Sequence, residues 1–150
     1  LDSKVIKRIR FETPNQKSEE KVMYKFSQRS LNNLKNVDSR LVDICNELIK
    51  RIDFTVIEGF RTVERQQELY KQGFSQIDGV SKKGKHNYSP SLAIDIIPYE
   101  KGHNPFDGSK KSEAMFEALA KEFKKVATEL DIAVVWGGDW KFKDMPHFQI

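Results

Sequence analysis

Residues 92–97 read Leu-Ala-Ile-Asp-Ile-Ile, and Pro98 follows them. A short apolar run that ends at a proline predicts a buried β-strand. Alternation along that strand places Asp95 on the face opposite Ile94 and Ile96. A carboxylate that is buried without a partner is unstable or takes up a proton, so Asp95 requires a compensating group. A metal ion would supply the opposite charge, and a salt bridge or a position at the end of the strand is the alternative.

The predicted helices and strands around this segment do not alternate regularly as βαβ units, which predicts an α+β fold. Apolar residues at helical spacing indicate one helix from Leu31 to Ile52, with Asp38 and Ser39 as caps for its main part. The other predicted elements are strands at 54–58, 132–136 and 147–150, helices at 63–72 and 112–130, and a long polar loop at 74–91. Loops of this length inside a small domain are usually functional or disordered.

The composition is that of a globular chain of one domain, with 150 residues, 38% hydrophobic and 32% charged. No apolar run approaches the roughly 20 residues that span a bilayer, so we expect no membrane insertion. No signal peptide is visible, although the chain begins at Leu1 rather than at methionine. The single cysteine, Cys45, excludes an internal disulfide and is predicted to be a buried apolar residue.

Much of the positive charge behind the net +4 lies in the first 30 residues. We therefore divide the chain into a basic, flexible N-terminal arm (residues 1–28) and a folded domain (residues 29–150). Such an arm could steer the protein toward a polyanion, either nucleic acid or an anionic cell wall. No helix-turn-helix and no aromatic-plus-basic RNA motif is visible, so we expect no nucleic-acid partner.

Histidine is scarce, and two of the three histidines are candidate metal ligands together with Asp95. His86 lies nine residues before Asp95, and His147 stands in Met-Pro-His-Phe at the start of the last predicted strand. Two histidines and one carboxylate, with a fourth position open to water, form a known catalytic zinc arrangement. The spacing alone is a weak signal, and a half-buried structural role is the alternative for His147. His103 is predicted to be an ordinary loop residue.

Three blocks of sequence carry a resemblance to a known family. Residues 85–95 (KHNYSPSLAID) resemble the first zinc motif of the D-Ala-D-Ala carboxypeptidase/L-alanyl-D-glutamate endopeptidase family (peptidase family M15). Residues 136–140 (WGGDW) with 144–148 (DMPHF), and residues 59–62 (GFRT) with Gln66, resemble further signatures of that family. The blocks follow the family order and include phage endolysin-like features. Many members space His and Asp by seven rather than nine residues, and a serine often stands where this chain has Gly84.

The resemblance implies a site and a fold. It implies a small antiparallel sheet with flanking helices, as in hedgehog and D-Ala-D-Ala peptidase domains, and makes residues 29–150 the catalytic domain. Zn²⁺ would be bound by His86, Asp95 and His147. The implied general base is Asp144, and the implied partner of the oxyanion is Arg61. The implied substrate-binding residues are Thr62, Gln66 and Trp136, with Trp140 as a second wall of the cleft. Core packing is the alternative for both tryptophans.

The function expected from the resemblance is hydrolysis of bacterial peptidoglycan at the L-Ala–D-Glu bond, by a monomer made in the host cytoplasm that acts on the cell wall after release. Lys82, Lys83 and Lys85 would provide a partner for a substrate carboxylate. One alternative is a D-Ala-D-Ala carboxypeptidase or dipeptidase. Another is a non-catalytic, zinc-containing cell-wall-binding module, against which the presence of both Arg61 and Asp144 argues.

Overall fold

The computed structural model describes residues 6–11 and 19–150, with side chains from residue 23 onward. In this part of the chain the strands are β1 (Ile6–Phe11), β2 (Glu19–Tyr24), β3 (Phe54–Glu58), β4 (Ala93–Pro98), β5 (Val135–Trp136) and β6 (His147–Gln149). The helices are α1 (Gln28–Asn33), α2 (Ser39–Leu48), α3 (Val63–Lys71) and α4 (Lys110–Glu129). Short 3-10 turns lie at Lys85–Asn87 and Gly137–Asp139.

The main sheet has four antiparallel strands in the order β3-β4-β6-β5. β4 is therefore a central strand, as its apolar sequence predicted. Its register places Asp95 opposite His147 on β6 and next to Glu58 on β3. The α+β fold with a small antiparallel sheet is confirmed, and the sheet brings distant polar residues side by side.

One face of this sheet packs against helices α2 and α4 to form the core. Ile94 and Ile96 of β4 are fully buried there. The rings of Phe123 on α4 and Phe148 on β6 stack with their centroids 4.0 Å apart. Cys45 on α2 is also fully buried, as predicted, and desolvation raises the pKa of its thiol. The packing leaves the Asp95 face of the sheet free to form a site.

The single helix predicted from Leu31 to Ile52 is wrong, because the chain breaks between α1 and α2. Asn36 has a φ of +56°, a left-handed conformation that asparagine tolerates better than most residues. Val37 then pairs with Ser91, and the amide of Asp38 donates to the Ser91 carbonyl at 2.9 Å. Asp38 caps α2 by accepting from the amide of Arg40, as the sequence predicted. This contact with the segment before β4 takes the place of the helical turn that would have joined α1 to α2.

The strand predicted at 132–136 is shorter than expected, since only Val135–Trp136 pairs with β6. Asp131 has a φ of +57°, and the amide of Ile132 donates to the Ala127 carbonyl at 2.8 Å. Residues 131 and 132 therefore close helix α4 rather than extend the sheet.

β1 and β2 pair as an antiparallel hairpin, an element the sequence did not predict. Residues 1–5 and 12–18 of the proposed arm lie outside the described residues, and the division at residue 28 stays a prediction. Just after the hairpin, the Phe26 ring packs edge-on against Phe54 at 5.7 Å. Among the described residues, no helix combines the length and apolar character needed to cross a membrane.

The stack of Phe123 on Phe148 gives a test of this packing. Phe123→Ala should lower the free energy of unfolding by about 3–5 kcal/mol, because the cavity it leaves lies under β6. Phe142→Ala is the control and should change stability by less than about 0.5 kcal/mol, since Phe142 is 77% exposed. Chemical denaturation measures both, and equal effects of the two substitutions would contradict the assigned core.

Candidate metal centre

Three residues predicted as metal ligands come together on the open face of the sheet. The Oδ1 atom of Asp95 lies 3.2 Å from Nε2 of His86 and 3.2 Å from Nδ1 of His147. The three candidate ligand atoms all lie within 4.8 Å of one another. β4 and β6 supply Asp95 and His147, and the 3-10 turn at Lys85–Asn87 supplies His86. This cluster could hold a metal ion.

The second nitrogen of each imidazole ring already has a hydrogen-bond acceptor. His86 Nδ1 lies 2.7 Å from the Gly59 carbonyl, and His147 Nε2 lies 2.9 Å from Oε1 of Gln149. A carbonyl accepts only, so His86 carries its proton on Nδ1 when neutral, and the Gln149 oxygen favours the proton on Nε2 of His147. The lone pairs of the other two nitrogens then point toward Asp95. Metal-binding histidines are usually oriented in this way, so the residues present fit a metal ion.

The electrostatics of the cluster keep Asp95 ionised. Burial alone would raise the pKa of Asp95, but the hydrogen bonds with His147 and His86 outweigh burial and hold that pKa well below its ordinary value. Burial alone would likewise lower the pKa of His147, and its hydrogen bond with Asp95 raises that pKa instead. Without a cation, the pocket compensates the buried carboxylate by favouring a protonated histidine.

Arg61 lies beside the cluster with its guanidinium group already engaged. Its Nε and Nη2 atoms donate to the two carboxylate oxygens of Glu58, each at 2.7 Å. Nη1 donates to Oε1 of Gln66 at 2.9 Å, and Nη2 lies 3.8 Å from Oδ2 of Asp95. Burial would lower the pKa of Arg61, but the ion pair with Glu58 reverses this effect and raises it. The predicted partner of an oxyanion is therefore near the cluster, held rigidly and largely neutralised.

Gln66 is 2% exposed and connects Arg61 to the long loop. Its Nε2 atom donates to Oγ of Ser75 at 2.8 Å and to the Ile77 carbonyl at 2.7 Å. Both hydrogens of its amide nitrogen are therefore used, and Gln66 joins Arg61 to the loop at the cavity wall. Thr62 is an exposed N-cap of α3 that accepts from the amide of Arg65, outside the cavity lining.

Asp144 lies in the same cavity, on the segment that leads into β6. The amide of Asp144 donates to the Gly137 carbonyl at 2.9 Å. A Cβ atom on Gly137 would collide with the main-chain oxygen of Asp144 and lie 3.1 Å from Cβ of His147. Glycine is therefore required for this close approach. Asp144 is exposed to solvent, yet desolvation by the cavity walls and the charge of Asp95 raise its pKa above the ordinary value.

The two tryptophans have different places. Trp136 is 8% exposed, belongs to the core, and donates from Nε1 to the Met145 carbonyl at 2.7 Å. It does not line the cavity of the cluster. Trp140 does line it and lies with its ring centroid 5.2 Å from that of His147. Trp136 therefore packs in the hydrophobic core, which was the alternative for both tryptophans. Trp140 forms part of the cavity wall.

The cluster opens into a cavity of about 510 Å³. Its lining includes Arg61, Gln66, Trp140, Asp144 and the lysines Lys82, Lys83 and Lys85. Two further cavities adjoin at Asp144. One, of about 700 Å³, is lined by Phe74 and Phe142, and the other, of about 460 Å³, by Phe106 and Phe116. Open space therefore adjoins the cavity of the cluster at Asp144.

Sequence reasoning missed Glu58 and Gln149. Gln149 stands two residues after His147 on a strand, so alternation alone places both on one face. Glu58 stands three residues before Arg61 across a glycine, a spacing that carries no regular signal. His103, predicted to be a loop residue, is confirmed as one: it lies before α4, with Nε2 2.7 Å from Oγ of Ser112.

Fold and cluster together define a small α+β domain with a candidate centre of two histidines and one carboxylate in an open cavity. The family model described as phage L-alanyl-D-glutamate peptidase matches residues 22–149 of this chain. The chain belongs to this family.

Two curated relatives and one solved structure are similar to the chain. The peptidoglycan L-alanyl-D-glutamate endopeptidase CwlK of Bacillus subtilis is 32% identical over 110 residues, which are 67% of this chain and 62% of that protein. The L-alanyl-D-glutamate peptidase of Escherichia phage T5 is 29% identical over 129 residues, 85% of this chain and 89% of that protein. The crystal structure of the L-Ala D-Glu endopeptidase ChiX of Serratia marcescens has a TM-score of 0.67 at 31% identity, covering 83% of this chain and 88% of that one.

The bond from His147 to Gln149 gives a test of the metal centre. Gln149→Leu should lower the affinity for a divalent metal ion by about 10–100-fold, because the ring loses the acceptor that orients it. Gln149→Glu keeps an acceptor and should retain the affinity. Competition against a chromophoric chelator measures both variants. Unchanged affinity in the leucine variant would show that this bond does not orient a ligand.

Proposed function

We propose that this protein is a zinc-dependent peptidase of family M15 that hydrolyses the L-Ala–D-Glu bond of bacterial peptidoglycan. The observation that carries the proposal is the convergence of His86, Asp95 and His147 in a cavity that also holds Asp144. The names of the similar proteins, each an L-alanyl-D-glutamate peptidase or endopeptidase, support the choice of bond. The chain spans 62% of the length of the Bacillus relative, so the activity is proposed from the site.

The donor set favours zinc among the common metals. Two imidazole nitrogens and one carboxylate oxygen match the three protein ligands of catalytic zinc sites, which keep a fourth position for water. Calcium and magnesium prefer sites built from oxygen ligands. A zinc ion bound by these residues would supply a Lewis acid beside the attacking water and the scissile carbonyl.

Asp144 is the proposed general base. It belongs to the cavity but not to the ligand cluster, so its carboxylate is available to take a proton from water. The pKa of Asp144 is raised by desolvation and by Asp95, and a more basic carboxylate is a better proton acceptor while it stays ionised. Gly137 and the backbone bond to Asp144 fix the main chain that carries this side chain.

Arg61 is the proposed partner of the negative charge that develops on the carbonyl oxygen. Glu58 and Gln66 take three of its five N–H groups. Two remain, one on Nη2, which lies 3.8 Å from Asp95 Oδ2, and one on Nη1, which is available to a substrate. Because Glu58 offsets the charge, Arg61 acts mainly as an oriented donor in a preorganised site. Gln66 is the proposed positioning residue for this donor, Thr62 caps α3, and Trp140 rather than Trp136 is proposed to contact substrate.

The shape of the site favours an endopeptidase over a carboxypeptidase. A carboxypeptidase needs a pocket that ends near the scissile bond, whereas an endopeptidase needs room for chain on both sides. Two further cavities, one at Phe74 and one at Phe106, each share Asp144 with the cavity of the cluster, so open space adjoins the candidate site beyond its own cavity. A purely binding module has no need of an aspartate in the position of Asp144. Action as a monomer, synthesis in the host cytoplasm and access to the wall after release are further parts of the proposal.

Two substitutions separate metal binding from chemistry. His147→Ala should lose both zinc and activity, because it removes a ligand. Asp144→Asn should keep one zinc per chain and lose activity by roughly 10²–10⁴-fold, the contribution of a general base. Elemental analysis and hydrolysis rates are measured on the same samples. Stoichiometric zinc in His147→Ala, or loss of metal in Asp144→Asn, would contradict these assignments.

The bond is identified from the products of purified peptidoglycan. Digestion should expose new N-terminal D-Glu groups, detected by mass spectrometry after labelling of amines. The His147→Ala protein is the matched control and should expose none. Release of free D-Ala with the L-Ala–D-Glu bond intact would instead identify a carboxypeptidase.

A further inference from the structure

Three lysines line the candidate cavity without an acidic partner. Lys82, Lys83 and Lys85 all belong to the lining. Among the residues with described side chains, 23–150, no carboxylate oxygen lies within salt-bridge distance of any of these three ammonium groups. Other lysines of this domain, such as Lys111 and Lys124, do form such ion pairs. The cavity therefore has uncompensated positive charge along one edge.

Two of the three acidic groups in the cavity lining, Glu58 and Asp95, have other partners, and among the ion pairs of residues 23–150 the third, Asp144, pairs with none of these lysines. Glu58 is held by Arg61 through two bonds, and Asp95 is held by His86 and His147. Neither of these two carboxylates is free to turn toward the lysines. A divalent cation at the cluster would add still more positive charge. The edge formed by the lysines is thus suited to an anionic group brought by the substrate.

The backbone that carries these lysines is fixed to the site. Oδ1 of Asn87 accepts from the Gly84 amide at 2.9 Å, and its Nδ2 donates to the Arg61 carbonyl at 3.0 Å. The Lys85 carbonyl accepts from the amide of Leu92 at 3.0 Å. Lys85 is half-buried and directly precedes the candidate ligand His86. The backbone of Lys85 is therefore fixed beside this candidate ligand, and its side chain lines the cavity.

We propose that Lys85, together with Lys82 and Lys83, recognises the free carboxylate of the glutamyl residue at the scissile bond. The inference rests on the proposed function. Glutamate has two carboxyl groups, and a peptide that continues through one of them leaves the other free. A carboxylate pairs with an ammonium group, whereas the uncharged carboxamide of the same shape does not. The enzyme therefore discriminates between acidic and amidated forms of the same stem peptide.

The test compares two synthetic stem peptides that differ only at this carboxyl group, which is either free or a carboxamide. Wild-type protein should show a kcat/KM for the free acid about 10–100-fold higher than for the amide, the strength of a hydrogen bond between charged groups. In the variant Lys82→Gln/Lys83→Gln/Lys85→Gln this ratio should fall close to one. A general structural defect would instead lower the kcat/KM for both peptides alike and leave this ratio unchanged.

A second triple variant controls for net charge. Lys101, Lys121 and Lys125 are exposed and lie outside the cavity lining. Their replacement by glutamine removes the same three charges and should leave the preference for the free acid intact. Equal cleavage of both peptides by wild type, or a preference that survives in the cavity variant, would overturn the lysine proposal alone. Failure of wild type to cut either peptide at the L-Ala–D-Glu bond would overturn the proposed function as well.

Discussion

The Asp95 carboxylate lies on a central strand, on the face turned away from the core, and one nitrogen from each of two histidines is 3.2 Å away. A buried carboxylate must be compensated, so the surrounding elements are arranged to supply partners for it. The antiparallel register of β4 and β6 brings His147 opposite Asp95. The 3-10 turn before β4 brings His86, whose other nitrogen is anchored on Gly59. These partners form a cluster that could hold a metal ion.

The charged side chains around that centre fall into two groups. In one group opposite charges are paired, and in the other they are not. In the interior, Arg61 and Glu58 neutralise each other through paired hydrogen bonds, and Gln66 locks the guanidinium in place. Such a group supplies orientation rather than net charge. At the edge, Lys82 and Lys85 have no acidic partner among the side chains of residues 23–150. The interior charges thus offset each other, whereas the lysines add positive charge to the cavity.

Two glycines allow these groups to meet. A Cβ atom on Gly59 would collide with the Asn33 carbonyl oxygen, and one on Gly137 would collide with the main chain of Asp144. The first glycine lets β3 pass close to α1 while its carbonyl accepts from His86. The second lets the turn after β5 support the segment that carries Asp144. In both places the small residue serves a close approach of backbones, which explains why each lies beside polar residues of the site.

The amino-acid sequence determined the elements whose causes are local. Alternation identified β4 and the face of Asp95, and the capping residue Asp38 marked the start of α2. The candidate ligands came from residue chemistry joined to a family resemblance, since their separations of nine and 52 residues show no proximity by themselves.

Only the tertiary structure decided what depends on contacts between distant segments. The pairing of Val37 with Ser91 split a helix that periodicity had predicted as continuous. The acceptors on Gly59 and Gln149 determined which ring nitrogens face Asp95. The pairing with Glu58 changed Arg61 from a free charge into a fixed donor. The physical reason is the same each time: a hydrogen bond or ion pair across the fold depends on three-dimensional distance, which local sequence patterns do not contain.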